Sequence, residues 1–256
     1  MNSGSVGISD LPYEMQFRFL IDAPWDDIVS YCQTSLQAAQ ICQSEDFWKD
    51  KLRVQGWNPD ELDLIDGPNP AVRYRTLMEI NTGDNGLDRA IVLGQTRWIR
   101  ANWRQHWIHY LDSFSIVDAM SRGHSEVIEV LRDSMDEADF TNILIQAEHT
   151  AVEENLPRIA LQLNKIKDGD YLDILSAVPS AFHENGPEAL EIILADAKAQ
   201  GRPETIQDFA EMMLESDEII ILAYMLRTHR DEINVNYLFQ TALTECPTAA
   251  LLYSYL

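Results

Sequence analysis

Apolar positions recur at intervals of three and four along most of the chain, and alternating runs rich in Val, Ile and Thr are scarce. That periodicity belongs to helices whose one face is buried, so the predicted fold class is all-α. Within 11–57 three helix starts are marked. One opens around Pro12 and Glu14 with Asp10 as its cap, and one near Pro24 with Asp26 and Asp27 at the positive end of the helix dipole. A third follows Ser44, where Glu45 and Asp46 precede Phe47, Trp48 and Leu52. Gly and Pro cluster at 56–70, and N-T-G-D-N-G at 81–86 is a second turn signal. These breaks predict a flexible Ser/Gly-rich start (1–10), a small helical module (11–57), a connecting helical region (58–110) and a C-terminal helical piece (111–256). Below about 70 to 80 residues a core is marginal by itself, so the module is expected to lean on a neighbour or a partner.

The C-terminal piece repeats. Its strongest unit runs from Ala119 through Gly123-His124-Ser125-Glu126 to the apolar Val127 and Ile128. Later segments align on Gly123 at Asn155, Gly186, Ser216 and Cys246, with intervals of 32, 31, 30 and 30 residues. Each anchor is followed by an apolar pair: Ile159 and Ala160, Ala189 and Leu190, Ile219 and Ile220, Ala250 and Leu251. Ala recurs four residues before the anchor at Ala119, Ala151 and Ala242. Small residues there let paired helices approach, and a turn residue at the anchor reverses the chain. The pattern resembles degenerate ankyrin repeats, whose period is about 33 residues, although the Thr-Pro-Leu-His turn of that family is absent. Generic helical hairpins of similar length fit the same spacing. The last copy is apolar to its end at Leu252-Tyr253-Ser254-Tyr255-Leu256, where packing against a partner chain is expected.

Between the two parts, Ile99, Trp103, Trp107, Tyr110 and Phe114 fall at spacings that make one helical face, beside Arg97, Arg100 and Arg104. Aromatics beside arginines can stack on single-stranded nucleic acid. Internal packing of the stripe, with the arginines paired to carboxylates, is the better account. His106, His109 and Asp112 share a helical face without a further ligand at a recognised spacing, so no metal site is expected. His124 sits in the repeat, where a structural hydrogen bond is expected.

Charge narrows the partners. The 19 basic and 42 acidic side chains give a net −23, and 129–256 alone carries 8 against 24, or −16. Neither nucleic acid nor an anionic membrane is an expected partner. The expected target protein therefore presents a basic patch. The longest apolar run, 219–226, is far short of the roughly 20 residues that span a bilayer, and no signal-peptide pattern is present. Cys32, Cys42 and Cys246 include no C-x-x-C pair, so neither a disulfide framework nor a zinc ribbon is indicated, and a reducing, cytoplasmic setting is expected. No phosphate loop, G-x-G-x-x-G, G-x-S-x-G, H-E-x-x-H or zinc deaminase signature occurs. A non-enzyme without catalytic residues, metal or cofactor is expected.

The order Leu11-Pro12-Tyr13-Glu14-Met15, Leu20-Ile21, Pro24-Trp25-Asp26-Asp27-Ile28, Cys32 and Phe47-Trp48-Lys49 resembles the F-box over about 40 residues. It departs from that motif in lacking a basic-x-Trp after the cysteine and in the bulky Trp25. The resemblance implies docking onto the Skp-family adaptor of a cullin-RING ubiquitin ligase. By match to the motif, Leu11, Pro12, Met15, Leu20 and Ile28 would be the apolar contacts, with Trp48 partly structural. An F-box-like module followed by ankyrin-like repeats is similar to proteins of large DNA viruses and of intracellular bacterial effectors, which would place it in a host cytoplasm. The implied function is that of a substrate receptor bridging the ligase to a target. A structural or assembly protein, such as a virion component, is the alternative.

Overall fold

The structure is a computed structural model that describes residues 8, 11–83, 85–103 and 111–245. Among them every regular element is helical. The expectations for most of 1–10, for Asp10 as a cap, for Arg104, His106, Trp107, His109 and Tyr110, and for Cys246 onward lie outside the described residues. The chain divides into two compact units, Met1–Leu111 with His124–Ser134, and Asp112–Gly123 with Met135–Leu256.

In the first unit, α1 (Tyr13–Ile21), α2 (Trp25–Cys32), α3 (Leu36–Gln43) and α4 (Glu45–Val54) follow in close succession. Ser35 and Ser44 accept from the backbone N–H of Ala38 and Phe47, so each closes the otherwise unpaired first turn of the helix it precedes. Their core is Leu20, Ile28, Ala38, Ile41, Phe47, Trp48 and Leu52, each at most 1% exposed. A 3-10 helix (Pro59–Leu64) and α5 (Pro70–Thr82) pack on α4. Trp25, foreign to the motif the segment resembles, stacks on Tyr74 of α5 at 5.9 Å and 16° and also meets Trp48 at 5.4 Å. A bulky residue there carries the small core outward to a neighbour. Glu45 joins the same elements electrostatically, 2.9 Å from Lys49 and 2.8 Å from Arg73. The hydrogen bonds from those two cations hold its carboxyl down at about 2.

The unit continues with α6 (Gly86–Val92) and α7 (Thr96–Asn102), which pack together. Gly94 between them has φ +66°. It also lies so close to the His124 ring that an added Cβ would fall 2.5 Å from Nδ1. Only glycine meets both demands without strain. α7 ends at Asn102, so the predicted stripe from Ile99 to Phe114 is not one helical face. Ile99 is fully buried, and Phe114 is 49% exposed on α8 (Ser113–Ser121) of the other unit. Arg97 and Arg100 are set 3.6 and 3.5 Å from Asp66 and Asp133, the carboxylate pairing expected of them. The first unit closes with α9 (Glu126–Ser134), packed on α7.

The second unit holds α8 and then α10 (Glu137–Glu153), α11 (Pro157–Lys167), α12 (Tyr171–Leu175), α13 (Val178–Asn185), α14 (Glu188–Ala199), α15 (Glu204–Glu215), α16 (Ile219–Thr228) and α17 (Val235–Glu245). α10 packs on α8, α12 and α13; α12 packs on α15; α15 packs on α17; and α11 packs on α14. Left-handed backbone falls at Gly123, Asn155, Asp168, Gly186, Gly201 and Asp217. Gly123, Asn155 and Gly186 are sequence anchors, whereas Asp168 and Gly201 close α11 and α14. Asp217 is one residue beyond the expected Ser216. That shift moves the apolar pair too: Ile220 is 65% exposed, and Ile221 and Leu222 are the buried pair. Polar links between successive helix pairs also recur. Lys165 on α11 reaches Asp196 on α14 at 3.2 Å, and Lys198 on α14 reaches Glu232 at 2.6 Å.

Candidate docking surface

Helix α1 sorts its side chains by position. Gln16 and Leu20, four apart, point inward and are 1% exposed. Met15 and Phe19, also four apart, point outward and are 54% and 56% exposed. The buried Gln16 is held as firmly as an apolar residue, because its Nε2 donates to the Leu11 carbonyl at 2.6 Å and its Oε1 accepts from the Tyr31 hydroxyl on α2. One side chain thereby fixes Leu11 and Pro12 beside the start of α1.

The far end of α1 is fixed in the same way. Lys51 of α4 is 3% exposed, and its ammonium donates to the carbonyls of Ile21 and Ala23 at 2.9 and 2.8 Å. A cation at a helix C-terminus satisfies carbonyls that have no partner within the helix and favours the dipole. Burial pushes its pKa down, partly opposed by Asp22.

Between these two anchors lies an open groove of about 670 Å³, lined by Leu11, Met15, Phe19, Ala23 and Pro24 with Arg18, Asp22 and Asp27 at its edges. Leu36, at the start of α3, is 80% exposed. Of the residues expected to meet an adaptor, Leu11, Pro12 and Met15 therefore lie on accessible surface, Leu11 half-buried and the other two exposed. Leu20, Ile28 and Trp48 do not, being at most 1% exposed in the core. The Trp48 indole donates to the Cys42 carbonyl at 2.8 Å, a wholly internal role. Two further apolar side chains are exposed without being part of the motif match: Phe19, four beyond Met15 on the same helix, and Leu36, directly after a Ser cap.

The reading that the cysteines form no disulfide framework is corrected to one bond. Cys32, the last residue of α2, and Cys42 of α3 are joined through their sulfurs, with Cα atoms 6.0 Å apart. Alternation of α2, a short turn and α3 brings together residues ten apart in the chain. Among the described residues no group of three or more His, Cys, Asp or Glu is placed to hold a metal ion, and no helix is long and apolar enough to cross a membrane. No family model, curated protein or solved structure matches this chain.

Proposed function

We propose that the chain is a non-catalytic interaction adaptor acting in the cytoplasm, in which α1 and the start of α3 dock onto the Skp-family adaptor of a cullin-RING ligase and the C-terminal helix pairs hold a target protein. The carrying observation is the placement of Met15 and Phe19, 54% and 56% exposed on one face of α1, with Leu36 at the start of α3 80% exposed; Val54 at the end of α4, 58% exposed, is the other large apolar side chain of these helices left more than half open. Amphipathic partner helices are recognised by grooves of this kind, through apolar anchors at helical spacing. The F-box resemblance supplies the kind of partner. The left-handed turns at Asn155, Gly186 and Asp217, each between two helices that pack together, support a stack of helix pairs as the target-holding part.

Replacing both Met15 and Phe19 with Asp should abolish co-purification with the adaptor, since interface anchors typically contribute about 2 kcal/mol or more each, roughly 30-fold in affinity. Both side chains are exposed, so the melting temperature should hardly move. Leu11→Ala with Pro12→Ala should weaken binding in the same direction. If the wild-type chain binds no Skp-family adaptor at tens of micromolar in a pull-down, the docking reading is wrong. The exposure of Ile220 and of Tyr237, 65% and 51%, favours the alternative of an assembly protein. Light scattering that shows a closed oligomer, dissolved by Ile220→Asp, would support that alternative instead.

A further inference from the structure

Cys32 and Cys42 enclose the most exposed apolar side chain of the N-terminal helices. From Cys32 the chain runs through Gln33, Thr34 and Ser35, all exposed, to Leu36 at 80% exposure, and then enters α3. The local hydrogen bonds tie each end of this segment to its own helix. Thr34 donates through N and Oγ1 to the Tyr31 carbonyl at 2.9 and 2.7 Å, and Ser35 Oγ accepts from Ala38 N at 3.1 Å. The bond between the sulfurs is the covalent tie across it. Beneath it, Ile28 of α2 and Ala38 and Ile41 of α3 are fully buried, so the helices stay packed when that bond is open. The two sulfurs differ in access: Cys42 is 7% exposed, whereas Cys32 is only half-buried. A small disulfide or thiol therefore meets Cys32 first, with Cys42 behind it as the resolving group.

We propose that Cys32 and Cys42 form a thiol–disulfide exchange site that sets the order of the Gln33 to Leu36 segment and thereby regulates the docking surface, the regulatory part resting on the docking reading above. In the closing direction the Cys32 thiolate attacks glutathione disulfide. The sulfur–sulfur bond of that molecule breaks, and one glutathione leaves as thiolate. The Cys42 thiolate then attacks the Cys32 sulfur of the mixed disulfide and expels the second glutathione. Two protein thiols are oxidised by two electrons, one glutathione disulfide is reduced to two glutathiones, and these take up the two protons. Closing the loop restricts Leu36 before binding, and a preorganised anchor loses less freedom on docking. The oxidised form is the tighter binder.

The test uses the full chain with Cys246→Ser, equilibrated across glutathione buffers from reducing to oxidising. Alkylation and mass spectrometry read Cys32 and Cys42, hydrogen exchange reads residues 33–36, and titration with the purified Skp-family adaptor reads docking. Expected are a single reversible two-electron transition, slower exchange over 33–36 in the oxidised form, and adaptor binding tighter by about fivefold. Cys32→Ser, at a half-buried position, should keep the fold by circular dichroism and behave as the reduced protein in every buffer. A pair that stays dithiol in the oxidising buffers, or that oxidises without changing exchange over 33–36, overturns the proposal. Equal adaptor affinity in both states overturns the regulatory link. Redox-dependent exchange with no adaptor binding in either state sinks the docking reading and supports the exchange site.

Discussion

Single buried polar side chains set the geometry of both units. Gln16 and Lys51 fix the two ends of α1, and in the second unit Glu148 and Lys167 join α10 to α11. Glu148 is fully buried, its Oε2 2.8 Å from a Lys167 ammonium that also reaches Asp173 at 3.1 Å. Its Oε1 has no hydrogen-bond partner among the described residues. Burial raises the Glu148 carboxyl above its usual value, while Lys167 opposes the shift. Hydrogen bonds to Glu148 and Asp173 raise Lys167 in spite of its own burial. Lys167→Met should therefore destabilise by about 3 to 5 kcal/mol near neutral pH, since it leaves a buried carboxylate uncompensated. Without Lys167 the folded-state carboxyl rises further above its unfolded value of about 4.3, so the folded protein holds the proton more tightly. Stability is then fully present at low pH and falls as pH rises through the window above that value, by up to about 1.4 kcal/mol per pH unit. Urea denaturation at pH 5 and pH 8 should show the variant losing far more stability between them than the wild type. The paired change Glu148→Leu with Lys167→Met should recover most of the loss, because a buried ion pair replaced by packed apolar groups is often neutral or better.

At the scale of elements, periodicity and caps made much of the helical layout legible. The starts near Pro24 and after Ser44 are where α2 and α4 begin, since Asp26, Asp27, Glu45 and Asp46 announce a helix N-terminus through local chemistry alone. What was illegible required knowing where a helix stops or which of two neighbours turns. The aromatic spacing from Ile99 to Phe114 matches one helix perfectly well in sequence. The break after Asn102 has no Gly or Pro to mark it. Likewise, Ser216 and Asp217 are both acceptable turn residues, and only the backbone shows that Asp217 takes φ +57°. A one-residue slip on a helix rotates every side chain by about 100°. That is why Ile220 left the predicted core and Ile221 entered it. The candidate site was half legible for a related reason: the motif order identifies apolar positions, but not which of them a helix turns inward. Leu20 of α1, Ile28 of α2 and Trp48 of α4 are turned inward, and Met15 of α1 is turned outward. The corrected register makes a sharp comparison. Ile221→Asp should unfold α15 and α16 together, placing an unpaired charge in a buried site at a cost of several kcal/mol. Ile220→Asp should be nearly silent. Thermal melts that rank the two the other way would refute the register.

Over the whole molecule, charge is sorted by helix class as well as by half. Helices α8, α10, α12, α13, α15 and α17 contain no Lys or Arg, whereas α9, α11, α14 and α16 each carry one or two in the last turn: Arg132, Lys165 with Lys167, Lys198, and Arg227. Cations at helix C-termini complement the negative end of the dipole, and several of these are already engaged. Lys165 is paired with Asp196, Lys167 with Glu148 and Asp173, and Lys198 with Glu232. Of the helices without Lys or Arg, α10 and α12 have Glu148 and Asp173 paired to Lys167 and α8 has Asp118 paired to Arg122, whereas among the described residues no carboxylate of α15 is in an ion pair. On α15, Asp208 is raised first by burial and then by Glu211, Glu204 and, from the cap of α12, Asp170. Like charges held this close work against one another unless a cation arrives from outside. A target carried by these helices should thus be basic at its contact, and its capture should be steered by a single-signed field. The association rate measured by surface plasmon resonance should fall as salt rises from about 50 to 300 mM, where the Debye length shortens from about 14 to 6 Å, while the dissociation rate changes little. Charge reversal of exposed carboxylates on one helix class separates steering from mere solubility. Glu204→Lys with Asp208→Lys should slow association and flatten its salt dependence, whereas Glu126→Lys with Glu129→Lys, on α9, should do neither. A target whose association is insensitive to salt would assign the acidity to solubility and leave the helix-by-helix sorting as a consequence of dipole compensation alone.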